Sequence, residues 1–282
     1  MTGVITGKKD PVFSEFRELD VLKNRIALSK FIVEDALIVG RAVFHGLAVE
    51  KIIYTERFLN EVNSDNACGN DILAVAKDAK IENYKINDGL LSAITSTRPL
   101  PSVVAMISHD FFDIGDINFN NNRTFLVIDS VANPDNLGMI LRTADASGID
   151  GLAIIGDGAN IFHKNCIRAA RGAVGRIKVL TGENENYILE RLKSNGVCLI
   201  GTSGETKDTI YDHQYNIPTA FVVGNESFGI RPKILAQCDK IVRIPMLDGR
   251  DSLSVAVAAG IVLYEMVRVC YNDKSYQNKL IF

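Results

Sequence analysis

From Thr124 onward the chain alternates short apolar runs with stretches that carry apolar residues at helical spacing. The runs are Thr124–Asp129, Gly151–Ile155, Ile177–Leu180, Val197–Thr202, Ala220–Val223 and Lys240–Ile244. Continuous apolar runs bounded by turn residues predict strands buried on both faces. Between and after them, Asn136–Ser147, Asn184–Ser194 and Ser252–Val269 predict helices. Strands separated by helices predict an α/β domain with a parallel sheet. Before residue 110 the pattern is more mixed. Ile32–His45 reads as a helix closed by Gly46, Glu50–Thr55 as a strand, Asp71–Lys80 as a helix capped by Asn70, and Val103–Ser108 as a strand. This predicts a second, smaller α/β domain. The intervening DFFDIGDINFNNN (Asp110–Asn122) is rich in Asn, Asp and Gly and reads as a linker. The expected division is therefore residues 1–115 and 123–282, with the linker at about 110–122. No internal repeat or low-complexity tract interrupts the pattern.

Three segments carry candidate chemistry: NPDNLGMILRTADASG (Asn133–Gly148), FVVGNESFG (Phe221–Gly229) and IPMLDGRDSLSVAVAAG (Ile244–Gly260). Each places Gly, Asn, Ser or Pro directly after an apolar run, which lets a loop backbone approach a ligand closely. Gly224 and Gly229 leave room for a flat ligand, or simply form a strand-to-helix turn. Arg142 stands inside an otherwise apolar helical pattern. Arg is rarely buried unpartnered. It either snorkels from the helix flank, pairs with Asp145 or Asp129, or grips an anion. Asn136 has the local reading of a first-turn polar residue, Glu226 of a helix-start carboxylate, and Ser252 of a helix N-cap. GDGANI (Gly156–Ile161) follows a strand but lacks the third Gly of a dinucleotide fingerprint. Lys164, Arg168, Arg171, Arg176 and Lys178 cluster with His163 and no acid between Gly158 and Gly182. Arg168 and Arg171 share a face if that stretch is helical. The cluster is either a solvated surface or a footprint for RNA phosphates.

Composition narrows the field. The 282 residues suit one large or two modest domains, and 47% hydrophobic with 23% charged is ordinary for a globular chain. A net charge of -3 argues against a uniformly basic nucleic-acid binder, so any RNA contact must come from local clusters. Five scattered Cys without a CxxC pair, and four isolated His, point to reduced thiols and no metal site. No signal-peptide core opens the chain, and the longest apolar stretch, Val255–Tyr264, is too short to span a bilayer. A cytoplasmic protein without a membrane association is expected. The helix Ser252–Val269 is apolar nearly all round until Glu265, so the domain core or a partner subunit must cover it.

In order, spacing and residue type the three segments resemble the motifs of the SpoU/TrmH family, RNA ribose 2'-O-methyltransferases of the SPOUT class. The resemblance covers Thr124–Val269. SKFIVEDALIVGRAVFHG and TSTRPLPSVVAMI resemble the ribosomal-protein-like substrate-binding domain that precedes many such catalytic domains. The resemblance implies a C-terminal parallel-sheet trefoil-knot domain, S-adenosyl-L-methionine as cofactor, and a homodimer packed through the C-terminal helix. It implies methyl transfer to a ribose 2'-hydroxyl, with rRNA favoured over tRNA by the extra domain. The implied catalytic set is Arg142, Asn136, Glu226, Ser252 and Ser254. The implied cofactor set is Gly201, Thr202, Gly224, Asn225, Gly229, Ile244, Met246 and Leu253. Lys164, Arg168 and Arg171 are the RNA-binding candidates. Ser254 departs from the family's usual Asn. In the family the matching Arg is proposed to activate the ribose hydroxyl. Arg stays protonated in proteins, so a bidentate grip on phosphate or ribose suits it better. The alternatives are a SPOUT-like protein that binds RNA without methylating it, a tRNA ribose methyltransferase, and, disfavoured by the broken fingerprint, a nucleotide-dependent oxidoreductase.

Overall fold

The computed structural model describes residues 2–63, 68–109, 114–119, 124–181, 184–247 and 252–271. Two sheets organise them, one in each of two units. The first unit is Met1–Asp110 together with Phe162–Arg176, and the second is Phe111–Ile161 together with Ile177–Phe282.

In chain order the first unit holds β1 (Thr2–Val4), α1 (Pro11–Glu18), α2 (Leu22–Leu28), β2 (Lys30–Glu34), α3 (Ala36–Phe44), β3 (Val49–Tyr54), α4 (Glu56–Asn63), α5 (Cys68–Asp78), β4 (Glu82–Lys85), α6 (Asp88–Ile94) and β5 (Val103–Ser108). The sheet order is β1-β4-β3-β5-β2. β4 runs parallel to β1 and β3, whereas β5 is antiparallel to β2 and β3. The expected helix Ile32–His45 is two elements. Phe31–Val33 is a β-branched and aromatic run whose burial alternates as a strand's does. Asp35 then turns the chain at φ 86, and its side chain accepts from the Leu37 amide to start α3. α5 begins two residues before Asn70, so Asn70 is inside the helix and does not cap it.

In the second unit β6 (Thr124–Asp129), α7 (Pro134–Ser147) and β7 (Gly151–Ile155) come first. Next in the chain is α8 (Lys164–Ala170), which belongs to the first unit. β8 (Val179–Leu180), α9 (Glu185–Ser194), β9 (Cys198–Thr202), β10 (Thr219–Val223), α10 (Pro232–Leu235), β11 (Lys240–Val242) and α11 (Val255–Cys270) complete the second unit. Its strands are ordered β11-β9-β10-β6-β7-β8 and every pair is parallel. All residues of β6 and β10 are buried, as a central strand covered on both faces requires. Parallel strands put their carboxyl ends on one edge, where α/β folds hold ligands. The motif loops after β6, β10 and β11 therefore gather along that edge.

Two expectations change. An uninterrupted domain from 123 to 282 is not what forms. Phe162 is wholly buried against the rings of Phe31 and His109, and the Phe162 carbonyl accepts from Arg25 Nε at 2.7 Å, which draws the α8 segment into the first unit. The expected linker lies partly outside the described residues. Its described portion is a 3-10 turn at Ile114–Asp116, with Ile114 and Ile117 buried in the second unit's core and Phe119 against Phe125.

Candidate functional site

The loop after β6 enters α7 through strong helix-start chemistry. Asn133 is the N-cap, and its side-chain oxygen accepts from the amides of Asp135 (2.8 Å) and Asn136 (3.3 Å), with Pro134 preset at the first helical position. Gly148 closes the helix at φ 65. The loop after β10 is a tight turn in which Asn225 and Gly229 exchange backbone hydrogen bonds of 2.9 and 3.0 Å. Gly229 has φ 71, which suits glycine.

Glu226 clasps the first loop to the second. One carboxylate oxygen accepts from the Ala132 amide (3.1 Å); the other accepts from the Asn133 amide (3.2 Å) and from Asn136 Nδ2 (3.0 Å). Desolvation pushes this carboxyl up. The bonds from Asn136, from its own backbone and from the Ala132 and Asn133 amides outweigh it and hold the pKa below the ordinary carboxylate value. Asn136 and Glu226 were expected in the site, and here they touch each other. The local reading of Glu226 as a helix-start carboxylate also holds, but for α7 and not for a helix of its own.

Several neighbours carry no recognised signal in the sequence. Asp129 ends β6 with 0% exposure and accepts from Ser130 Oγ (3.0 Å), the Arg231 amide (2.8 Å) and Arg231 Nε (2.6 Å). Arg231 Nη2 reaches Glu185 at 2.6 Å. Asn225 Nδ2 donates to the Ser130 carbonyl at 2.8 Å, and Ser130 itself sits at φ 57. The glycines of the failed dinucleotide fingerprint are explained here. A Cβ at Gly156 would lie 2.3 Å from Ser130 Oγ, and one at Gly158 would lie 2.7 Å from the Val131 carbonyl oxygen. The only sequence hint of Arg231 is its place between the GNESFG turn and Pro232.

The other expected residues divide. Arg142 is exposed on α7 and has no hydrogen bond or ion pair among the described residues; Asp129 is taken by Arg231. Ser252, Leu253 and Ser254 are all exposed. Ser254, not Ser252, is the N-cap of α11, and its hydroxyl makes no capping bond. Gly224 does not take a left-handed φ, and it is glycine because a Cβ would lie 2.1 Å from Gly229 C and Ile230 N. The turn itself, rather than a ligand, excludes a side chain there. Gly201 is also a packing glycine, since a Cβ there would lie 3.0 Å from Cys238 Sγ and Leu235 Cδ1. Thr202 Oγ1 is spent on the Val222 carbonyl at 2.9 Å. Ile244 is half-buried, and Met246, Leu247, Leu253 and Phe228 are exposed. Apolar side chains such as those of the third loop are chemically suited to the apolar part of a nucleoside-like cofactor.

The basic cluster belongs to the first unit. Lys164 is paired with Asp20. Arg171 is not on the α8 face with Arg168; it caps the helix at φ 52. Both arginines, with Arg57, Pro99 and Leu100, line a cleft of about 560 Å³ in that unit, within the size range of ligand sites. Among the described residues no group of three or more His, Cys, Asp or Glu could hold a metal ion, and no helix is long and apolar enough to cross a membrane.

The fold is shared with the S-adenosylmethionine-bound rRNA methyltransferase from Sinorhizobium meliloti, at TM-score 0.81 and 25% identity, covering 95% of this chain and 98% of that one. The SpoU methyltransferase AviRb from Streptomyces viridochromogenes has the same fold, at TM-score 0.79 and 24% identity, covering 94% and 100%. Residues 123–264 match the SpoU rRNA Methylase family, and the chain belongs to it. Among sequence relatives, the Bacillus subtilis 23S rRNA (guanosine(2553)-2'-O)-methyltransferase RlmP is 28% identical over 263 residues, 93% of this chain and 98% of that protein. A TrmH family protein of Staphylococcus saprophyticus is 29% identical over 246 residues, 84% and 96%.

Proposed function

We propose that this protein transfers a methyl group from S-adenosylmethionine to a ribose 2'-hydroxyl of ribosomal RNA. The observation that carries the reading is the Glu226 clasp: it fixes the two motif loops while leaving the Arg142 guanidinium and the Ser252 and Ser254 hydroxyls without partners among the described residues. When bound, S-adenosylmethionine supplies the electrophilic methyl group. Ile244, Met246, Leu253 and the backbone of Gly224, Asn225 and Gly229 would hold it. Gly201 and Thr202 support that edge through packing and the sheet.

Each side chain then has a defined task. Glu226 has every oxygen engaged and a lowered pKa, so it orients Asn136 and the first loop instead of removing a proton. Arg142 remains protonated and grips phosphate or ribose through its planar fork, which orients the 2'-hydroxyl towards the methyl group. Positioning of that kind supplies a large share of a two-substrate rate. Ser252 and Ser254 offer short donors and acceptors to the ribose. In the first unit, the cleft bordered by Arg168 and Arg171 is the proposed seat of flanking RNA, with Lys164 holding α8 through Asp20. Val257 and Tyr264 form an exposed stripe on α11, with Met139 exposed on α7, and this is the proposed contact with a second copy. The ribosomal RNA substrate places the work in the cytoplasm; the similarity to the Bacillus subtilis 23S enzyme favours rRNA over tRNA.

Ser254 in place of the family's usual Asn favours a second reading, a protein that binds RNA without methylating it. One experiment separates the two. Ribose methylation is mapped across rRNA and tRNA from cells with and without the gene, and purified wild type and Arg142→Ala are assayed on the same RNA. One rRNA ribose should lose its methyl group without the gene and regain it with wild type. Arg142→Ala should bind S-adenosylmethionine normally and be slowed at least about 100-fold, the scale of a lost positioning contact. An unchanged methylation map together with an inactive purified protein would refute the catalytic reading.

A further inference from the structure

Phe228 lies at the tip of the second-motif turn with 62% of its surface exposed. Large apolar groups left in solvent on loops are usually on mobile tips, but this turn is heavily restrained. Asn225 and Gly229 exchange two backbone bonds, Asn225 Oδ1 accepts from the Ser227 amide at 2.8 Å, Asn225 Nδ2 holds the Ser130 carbonyl, and Glu226 holds the first loop through three donors. The ring is thus held out in solvent by a rigid support. It has no aromatic partner among the described residues. The space beside it is open, since a Cβ added at Gly229 would meet nothing within 4 Å.

We infer that Phe228 is a stacking platform for an unpaired nucleobase of the substrate RNA, next to the ribose that is methylated. The inference rests on the methyltransferase reading and deepens it. Proteins hold bases splayed out of single-stranded RNA by stacking them on aromatic faces, and every base has such a face. Glu226 is poorly placed to read base edges, because both its oxygens already accept bonds inside the protein. Arg142 offers a fork for phosphate or ribose, and Phe228 offers the complementary apolar face for a base. The chain has no Trp to do this instead.

The test uses the full-length protein, protein-free rRNA and three readouts: KM for RNA, affinity for S-adenosylmethionine, and solution mass. Phe228→Leu keeps the bulk and hydrophobicity but removes the aromatic face. Phe228→Tyr keeps the face. Loss of one stacked base corresponds to about 5- to 150-fold. Phe228→Leu should raise KM for RNA by that amount with cofactor affinity and mass unchanged, and Phe228→Tyr should restore it to within about threefold of wild type. Equal KM values for Leu and wild type would overturn stacking. So would a mass halved by Phe228→Leu, which would make the ring a subunit contact, or a weakened cofactor affinity, which would make it a cofactor wall. If wild type itself methylates no rRNA while binding the cofactor, the methyltransferase reading fails first and the stacking role falls with it.

Discussion

Arg231→Met tests whether the ends of the two motif loops are locked by a buried ion pair. Asp129 is wholly buried, and Arg231 Nε is its shortest partner at 2.6 Å. In the variant the carboxylate keeps the backbone amide of position 231 and Ser130 Oγ but loses the opposite charge. Breaking a buried pair by removing one partner costs about 3–5 kcal/mol. The two retained donors, and an Arg side chain already 22% exposed, reduce the expected loss to about 2–4 kcal/mol. Met replaces most of the aliphatic stem, so the cavity contribution is small. For a unit of this size each kcal/mol moves the midpoint by about 2–4 °C, giving a drop of about 4–16 °C. The assay is thermal unfolding followed by circular dichroism, with methyl transfer measured well below the transition. Asp129→Asn combined with Arg231→Met removes the stranded charge, and the cycle should show a coupling of about 1–3 kcal/mol. A midpoint shift under about 2 °C in the single variant, or strict additivity in the double, would refute the lock.

Two other outcomes follow from the same geometry. The Glu226 carboxyl is depressed in the folded state relative to its value of 4.5 when unperturbed, so its contribution is fully present above that pH and is lost only as pH falls through the lower folded value. Single-turnover methylation should therefore show no Glu226-dependent change between pH 7 and about pH 5, and a step in that window present in wild type but abolished by Glu226→Gln would contradict the clasp. Val257→Asp with Tyr264→Asp places two charges on the exposed stripe of α11; sedimentation should give about twice the chain mass for wild type and about one chain mass for the double variant, and an active wild-type monomer would remove the proposed contact.

Much of the second unit is legible from the chain because its strands are buried on both faces. Such strands read as unbroken apolar runs, and β6, β7 and β10 fall where those runs lie. The first unit is harder. Phe31–Val33 runs without a polar break into the apolar residues of α3, and the element boundary depends on Asp35 adopting φ 86, a conformation rare outside glycine. β4 reads Glu-Asn-Tyr-Lys, which has no strand-like apolar pattern, and its pairing with β1 and β3 makes it a strand. α8 is a tertiary case. Its membership of the first unit depends on Phe162 meeting Phe31 and His109, residues far away in the chain.

The motifs name candidate side chains and do not name their hydrogen-bond partners. Sequence motifs give side-chain identity, but the partners that decide the role of Glu226 are the backbone amides of Ala132 and Asn133, whose orientation appears in no motif. Gly224 is similar: its substitution would collide with Gly229 and Ile230, so a failure of that variant to bind cofactor would report on the turn and not on a ligand. Polar groups whose bonding capacity is satisfied inside the protein are unavailable to a substrate, because each bond made to a ligand would first have to be broken within the fold. Asp129, Asn133, Asn225 and Glu226 are of that kind. Arg142, the Ser252 and Ser254 hydroxyls and the ring of Phe228 carry no such bonds among the described residues. On the proposed function the first group fixes the geometry and the second meets the RNA, so substitutions in the first should cost stability and rate together. Substitutions in the second should cost rate or RNA affinity while leaving the fold intact.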